Sequence, residues 1–288
     1  MIPIWTGADL IYSGIDPSSA MHQVMSFGDI IRPGAYALHS RFSRAVNFIG
    51  GGRLVSVVDP SIGGGPINIV LAGADFGRLG SLQVQEDSFL LDGASLPKSP
   101  LFDSRLPAPG TSLDLRRCRD LLLRKAHPKS LAFLLDDSRS RGFTSGFEKA
   151  LVQRLQTAAH ELRDGDLEAG SRSARGAGLG LTPSGDDLLS GYLWGLHFRQ
   201  RISGGDLSAE IKRVYASAKS TNPLSSAFLG CALEGRFFQR LRDLLADLGD
   251  PERIEGRLDG LLSVGETSGA DTCVGLMLAL EKEDSLWS

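Results

Sequence analysis

Between Val24 and Leu96 the apolar positions fall into short runs, each cut off by glycine, proline, serine or aspartate. Runs at 36–40, 45–49, 54–58, 67–71, 81–85 and 88–91 recur at near-regular spacing. Short runs punctuated in this way predict β-strands, here an antiparallel sheet or small barrel. From Leu96 to Gly110 four prolines intervene and break regular structure. Beyond them the period lengthens: Leu113, Leu115, Cys118, Leu121 and Leu122, then Phe147, Leu151, Leu155, Ala158 and Leu162, repeat at helical spacing. Further helices are expected near 186–199, 207–219, 223–234, 237–248, 252–263 and 269–281. The pattern describes an α+β protein: a β-rich domain over 1–100, a proline-rich linker over 101–110 and an all-helical domain over 111–288.

One stretch of the helical half is more than amphipathic. Gly176-Ala-Gly-Leu-Gly-Leu-Thr-Pro-Ser-Gly-Asp-Asp187 runs straight into an apolar helix, and its start recurs. Ser184 to Leu196 aligns without gaps on Ser268 to Leu280, sharing serine, glycine, aspartate, glycine and leucine at equivalent places. Ser184 and Asp187 have the spacing of a capping box, and the alternating glycines admit backbone conformations closed to other residues. Small residues follow each serine by seven places (Gly191, Gly275) and by eleven (Gly195, Ala279), a flat face suited to close helix contact. The two helices are expected to pack together with their N-termini facing one pocket. A helix N-terminus attracts anions through its free amides and its dipole. The plainer reading is that both serines merely cap helices and the glycines merely permit packing.

Composition narrows the class. The chain has 288 residues, 42% hydrophobic and 23% charged, with a formal charge of −3, which argues against a nucleic-acid surface. No apolar run reaches the length needed to span a bilayer, and the first residues lack the pattern of a secretion signal, so a cytoplasmic location without membrane contact is expected. Cys118, Cys231 and Cys273 are widely spaced and read as small buried apolar residues. Neither a bound metal nor a cofactor is called for by any motif.

The candidate site gathers on the repeated starts. Gly178, Gly180, Thr182, Ser184, Gly185 and Asp187 come from the first copy, and Thr267, Ser268, Gly269 and Asp271 from the second. Asp186 has Ala270 at the equivalent place, which singles it out as a base or amide acceptor, with Asp187 and Asp271 the more structural pair. Thr221 and Asn222 precede Pro223 at another helix start, where they either cap the helix or help to hold a carboxylate or amide. Arg41 or Arg44 in the β-rich half could close an anion site, although surface charge explains either as well. His127 and His160 have no partner apparent from spacing, and His197 lies in a hydrophobic helix. Gly63-Gly-Gly-Pro-Ile-Asn68 is too generic to be read as a phosphate loop.

Gly-x-Gly-x-Thr-Pro-Ser-Gly-Asp-Asp at 178–187, together with Thr221-Asn222, Gly235 and Gly265-Glu-Thr-Ser-Gly-Ala-Asp271, resembles the AllH-type subunit of oxamate carbamoyltransferase, a bacterial family long described only as a domain of unknown function. His39-Ser40, Phe42, Ala45-Val-Asn47 and Gly65-Pro66 extend the resemblance over about 35–281; Pro223 departs from the family's usual residue there. The resemblance implies a part in purine and allantoin breakdown, in which oxalurate and phosphate give oxamate and carbamoyl phosphate. It also implies partner subunits and a small anionic ligand such as phosphate, carbamoyl phosphate or oxamate. The Ser-Thr-Arg-Thr and His-Pro-x-Gln segments of ordinary transcarbamylases are absent, so Asp186 and Asn222 become the catalytic candidates. Two other readings stand beside this one: a magnesium-dependent phosphotransfer or hydrolase enzyme using Asp186, Asp187 and Asp271, and a non-catalytic scaffold subunit.

Overall fold

The computed structural model describes residues 22–106 and 113–281. Nine strands form one sheet: β1 (Gln23–Gly28), β2 (Gly34–Arg41), β3 (Ala45–Gly50), β4 (Arg53–Val58), β5 (Asn68–Ala72), β6 (Ser81–Val84), β7 (Ser88–Leu91), β8 (Ala94–Pro97) and β9 (Leu101–Phe102). Their spatial order is β8-β7-β6-β2-β3-β4-β5-β1-β9. All six expected runs are strands, and the α+β layout holds, with the β-rich half first and the helices after it.

The sheet is mixed rather than purely antiparallel, because β4 pairs β5 and β1 pairs β9 in parallel. The physical reason lies in the connection from β4 to β5. Residues 59–67 are too long for a tight hairpin, and they carry the chain across to re-enter in the same direction. That crossover contains the 63–66 glycine turn, which is a structural joint: Gly64 N–H donates to Gln239 Oε1 at 2.7 Å, and Asn68 Nδ2 donates to the Gly63 carbonyl at 3.1 Å. Of the expected linker, residues 107–110 lie outside the described residues. Its first part is structured: 101–102 form β9, and Arg105 bridges to Arg236.

Nine α-helices follow among the described residues: α1 (Leu115–Lys125), α2 (Gly146–Asp164), α3 (Leu167–Ala174), α4 (Ser184–Ser203), α5 (Ser208–Ala218), α6 (Pro223–Leu233), α7 (Gln239–Ala246), α8 (Ile254–Leu262) and α9 (Ser268–Leu280). None is long and apolar enough to cross a membrane. The centre of this half is the α4–α9 pair, in which thirteen residues of α4 and eleven of α9 are buried. A helix hydrophobic on nearly every side belongs inside a bundle, and these two are wrapped by the others. The three cysteines are all buried, as expected.

Two cores result. The sheet keeps its own, around Val46, Phe48, Val55, Val57, Ile69 and Leu71. The helical core is larger and draws Leu54 and Ile67 out of the sheet half into itself. Polar contacts bind the same seam: Arg236 Nη1 lies 3.0 Å from Asp29 Oδ2, and Asp29 also accepts from the Ser104 backbone and hydroxyl.

Candidate functional site

The two repeated helix starts meet. A Cβ added to Gly191 would lie 2.0 Å from the Thr272 carbonyl, and one added to Gly275 would lie 2.0 Å from the Leu188 carbonyl. Each glycine therefore lets its partner helix approach to backbone contact, and the contact is reciprocal. At the N-terminal ends the side chains cross over in the same way. Asp187 of α4 lies beside the hydroxyl of Ser268 at the start of α9, whereas Asp271 of α9 lies beside the hydroxyl of Ser184 at the start of α4. Thr182 and Thr267 add a second hydroxyl to each carboxylate, and Thr182 Oγ1 lies 3.3 Å from Ser268 Oγ.

The arrangement has an inside and an outside. Asp186, Asp187 and Asp271 are 1%, 7% and 0% exposed, while Thr182, Ser184, Thr267 and Ser268 are half-buried. Four hydroxyl-bearing residues thus lie part-way to the surface, beside carboxylates taken out of water. One oxygen of each acid, Oδ2 in all three, is buried without a hydrogen-bond partner among the described residues. Burial pushes the Asp187 carboxyl well above the usual carboxylate range, with a further push from the Asp271 and Asp186 charges, against the pull of the Ser268 and Thr182 hydroxyls. Burial likewise pushes Asp271 up to about 6, moderated by the Leu131 N–H, which donates to Oδ1 at 2.7 Å, and by the hydroxyls of Ser184 and Thr267. Burial therefore favours the protonated form of both carboxyls over what either would show in water.

Several expected roles change once the geometry is drawn. Pro183, not Ser184, occupies the cap position of α4, and no side chain caps this helix; Ser184 is its first residue and turns to the other helix start. Gly185 N–H donates to the Ala177 carbonyl at 2.7 Å, the Asp186 and Asp187 amides both to Pro183, and Gly269 N–H to Val264. The glycine amides of the two starts are thus already occupied by the protein. A Cβ at Gly185 would fall 1.9 Å from the Ala174 carbonyl, and one at Gly269 would fall 2.0 Å from that of Leu261, which explains these two glycines by packing.

Asp186 is turned inward. Its Oδ1 accepts from Gly176 N–H at 2.7 Å, fixing the entry to the glycine loop, where Gly176, Gly178 and Gly180 adopt positive φ values of 65°, 124° and 100°. Asn222 uses both ends of its amide in structure. Oδ1 caps α6 by accepting from Leu224 and Ser225 N–H, and Nδ2 donates to the Leu181 carbonyl at 2.6 Å, tying α6 to the loop. Thr221 is exposed beside it. Leu179 and Leu181 stand out of the loop at 76% and 43% exposure.

Arg41 stays on the sheet, where Nη2 donates to the Leu79 carbonyl at 2.6 Å, and Arg44 Nη1 donates to the Ser61 hydroxyl at 3.2 Å. The arginines that the sheet does present toward α6 are Arg32 and Arg53, along a cleft. Nothing in their sequence neighbourhoods marked them, since each sits next to a turn and gains its setting only from the folded seam. The Leu131 amide that holds Asp271 was equally hidden, being 140 residues away in the chain. His160 Nε2 lies 3.3 Å from Asp164, one helical turn on, and His127 Nε2 lies 3.9 Å from Glu266. Among the described residues no three His, Cys, Asp or Glu side chains are placed to hold a metal ion.

The fold and site define an α+β protein whose distinctive element is a pair of crossed helix starts, each serine hydroxyl set against the other helix's carboxylate. Residues 175–280, which run from the glycine loop through α9, match the family model for oxamate carbamoyltransferase subunit AllH. This is the family to which the sequence motifs pointed, and the match contains both helix starts and the Asn222 tether. No solved structure matches the chain.

Proposed function

We propose that the chain is a subunit of an oxamate carbamoyltransferase and that the hydroxyls of the half-buried Thr182, Ser184, Thr267 and Ser268 bind a small anion or amide. The observation that carries this reading is the crossed pairing of hydroxyls and buried carboxylates at the α4 and α9 starts, within the segment that matches the family. A hydroxyl that donates to a carboxylate keeps its lone pairs for an N–H of the ligand. One beside a protonated carboxyl can instead turn its hydrogen outward to an oxyanion. Both are needed for a ligand that combines an amide with an anion, such as oxamate or oxalurate.

In the reaction, a phosphate oxygen forms a bond to the carbamoyl carbon of oxalurate and the bond from that carbon to the imide nitrogen breaks. The proton given up by phosphate balances the one that oxamate nitrogen takes. The hydroxyls stabilise the oxygen charge that develops on the carbamoyl group. Asp187, whose burial favours its protonated form, supplies a proton to the departing nitrogen through Ser268, and Asp271 takes up the balance. Asp186 and Asn222 serve this chemistry by fixing the loop. Partner subunits complete the enzyme, acting in the cytoplasm, where a kinase consumes carbamoyl phosphate.

Thermal denaturation with oxamate, oxalurate, carbamoyl phosphate and phosphate tests the reading, using wild type and a Ser184→Ala/Ser268→Ala variant. Ligand at 100 times its dissociation constant adds about 2.7 kcal/mol of native stability. The expected result is a raised midpoint with oxamate or carbamoyl phosphate that the variant loses. Absence of any shift, in the chain alone and in the assembled complex, would overturn the assignment and leave a scaffold subunit.

A further inference from the structure

A second feature, independent of the helix starts, lies at the seam between sheet and helices. Here a cleft of 710 Å³ opens between the β3–β4 turn, the segment before β2 and one side of α6. Its floor is apolar, formed by Ile30, Ile49, Leu54 and Ile67, with Tyr36 and Tyr215 on its walls. This size and lining are those of a pocket for a small organic molecule.

Two observations give the ligand its charge. Arg32 and Arg53 line the cleft, and neither guanidinium has an ion-pair or hydrogen-bond partner among the described residues. Arg236, by contrast, is held by Asp29, and Glu234 is the only carboxylate of the lining among the described residues. Two uncompensated guanidinium groups beside an apolar floor attract a carboxylate or phosphate that carries an apolar body. The third wall leaves room for that body. Gly230 of α6 lines the cleft, and a Cβ built there would meet no atom within 4 Å, unlike those at Gly191 and Gly275.

We propose that this cleft is a binding site for an organic anion, with its carboxylate or phosphate held by Arg32 and Arg53 and its apolar or aromatic body laid on the floor between the sheet and α6. The site is distinct from the one at the crossed helix starts and does not depend on that assignment. The two share only α6, whose cap Asn222 holds the glycine loop and whose exposed side lines the cleft. A ligand here would press on both halves of the protein at once.

Isothermal titration of the full chain tests the proposal with four probes: phenyl phosphate and benzoate as anions with a body, inorganic phosphate as the anion without one, and benzyl alcohol as the body without charge. Phenyl phosphate or benzoate should bind at least about tenfold more tightly than either control. An Arg32→Gln/Arg53→Gln variant should lose at least about tenfold, the scale of one charged hydrogen-bonded contact. Gly230→Phe should fill the cleft and abolish binding while the chain keeps its cooperative melt. The Ser184→Ala/Ser268→Ala variant should bind the probes as wild type does, which separates this site from the other. Equal affinity for phosphate and phenyl phosphate, full binding by a folded Gly230→Phe chain, or no binding of any probe at millimolar concentration would each overturn it.

Discussion

Replacing Gly191 with alanine puts the helix pairing to a direct test. The new Cβ would stand 2.0 Å from the Thr272 carbonyl oxygen and 2.8 Å from its carbon, all of it backbone, so no side chain can swing aside. Ordinary contact begins near 3.4 Å, so α4 and α9 must part by roughly 1.4 Å at this point, in a core packed at crystal-like density. Overpacking of this kind costs about 1–3 kcal/mol or more, and alanine recovers about 1 kcal/mol of helix propensity relative to glycine. A net loss of up to about 2 kcal/mol is expected, which in a chain of this size lowers the midpoint by up to roughly 8 °C. Gly230→Ala is the matched control, because its Cβ meets nothing; it should be neutral or stabilise by up to about 1 kcal/mol. Urea denaturation followed by far-UV circular dichroism measures both. If Gly191→Ala proves as stable as Gly230→Ala, the backbone contact between α4 and α9 is not as close as described.

The Asp271 carboxyl gives a pH signature. Its folded-state pKa is raised from the ordinary 3.8 to about 6, so the native state takes up a proton in that window. Its contribution to stability should therefore fall as pH rises from about 4 to 6, by on the order of 3 kcal/mol. Asp271→Asn, which keeps an oxygen for the Leu131 N–H, should flatten that part of the curve in urea melts taken across the range; an unchanged slope would contradict the burial of a titrating acid here. Asn222 separates capping from tethering. Asn222→Asp retains the cap on α6 and loses the donor to Leu181, so the loop over 176–183 should become more open to limited proteolysis with little change in global stability. Asn222→Ala loses both and should also cost about 1 kcal/mol; equal cleavage of wild type and the Asp variant would remove the tether from the account.

Much of this arrangement was legible in the order of residues. The strand runs from 36 to 91 and the helices after 113 follow from apolar period alone, since each element buries one face or stripe. The repeat at 184 and 268 announced that two helices begin alike, and the small residues at 191, 195, 275 and 279 announced their close packing. Three strands escaped because their signals are weak: β8 ends in Pro97, β9 has only two residues, and β1 carries an irregularity between Val24 and Ser26. α3 is only eight residues long and escaped for the same reason. The crossing of the hydroxyls was hidden for a different reason. Local spacing relates Ser184 to its own Asp187, and a capping box is the natural inference; that Ser184 serves Asp271 instead depends on how two helices 84 positions apart in the repeat come together. The same holds for Asp186, whose Oδ1 is met by the loop backbone at Gly176, a contact that local spacing does not show.

The α4–α9 partnership also orders events during synthesis. α4 leaves the ribosome with a bare glycine face and with Asp187 lacking the Ser268 hydroxyl, and more than sixty residues must follow it before α9 begins to supply it. Such a long-range docking closes a large loop and is a slow kind of step. Until it happens neither carboxylate has the serine hydroxyl that the other helix start provides. The serine crossing therefore forms in one late event, when the second copy of the motif arrives and each copy finishes the other.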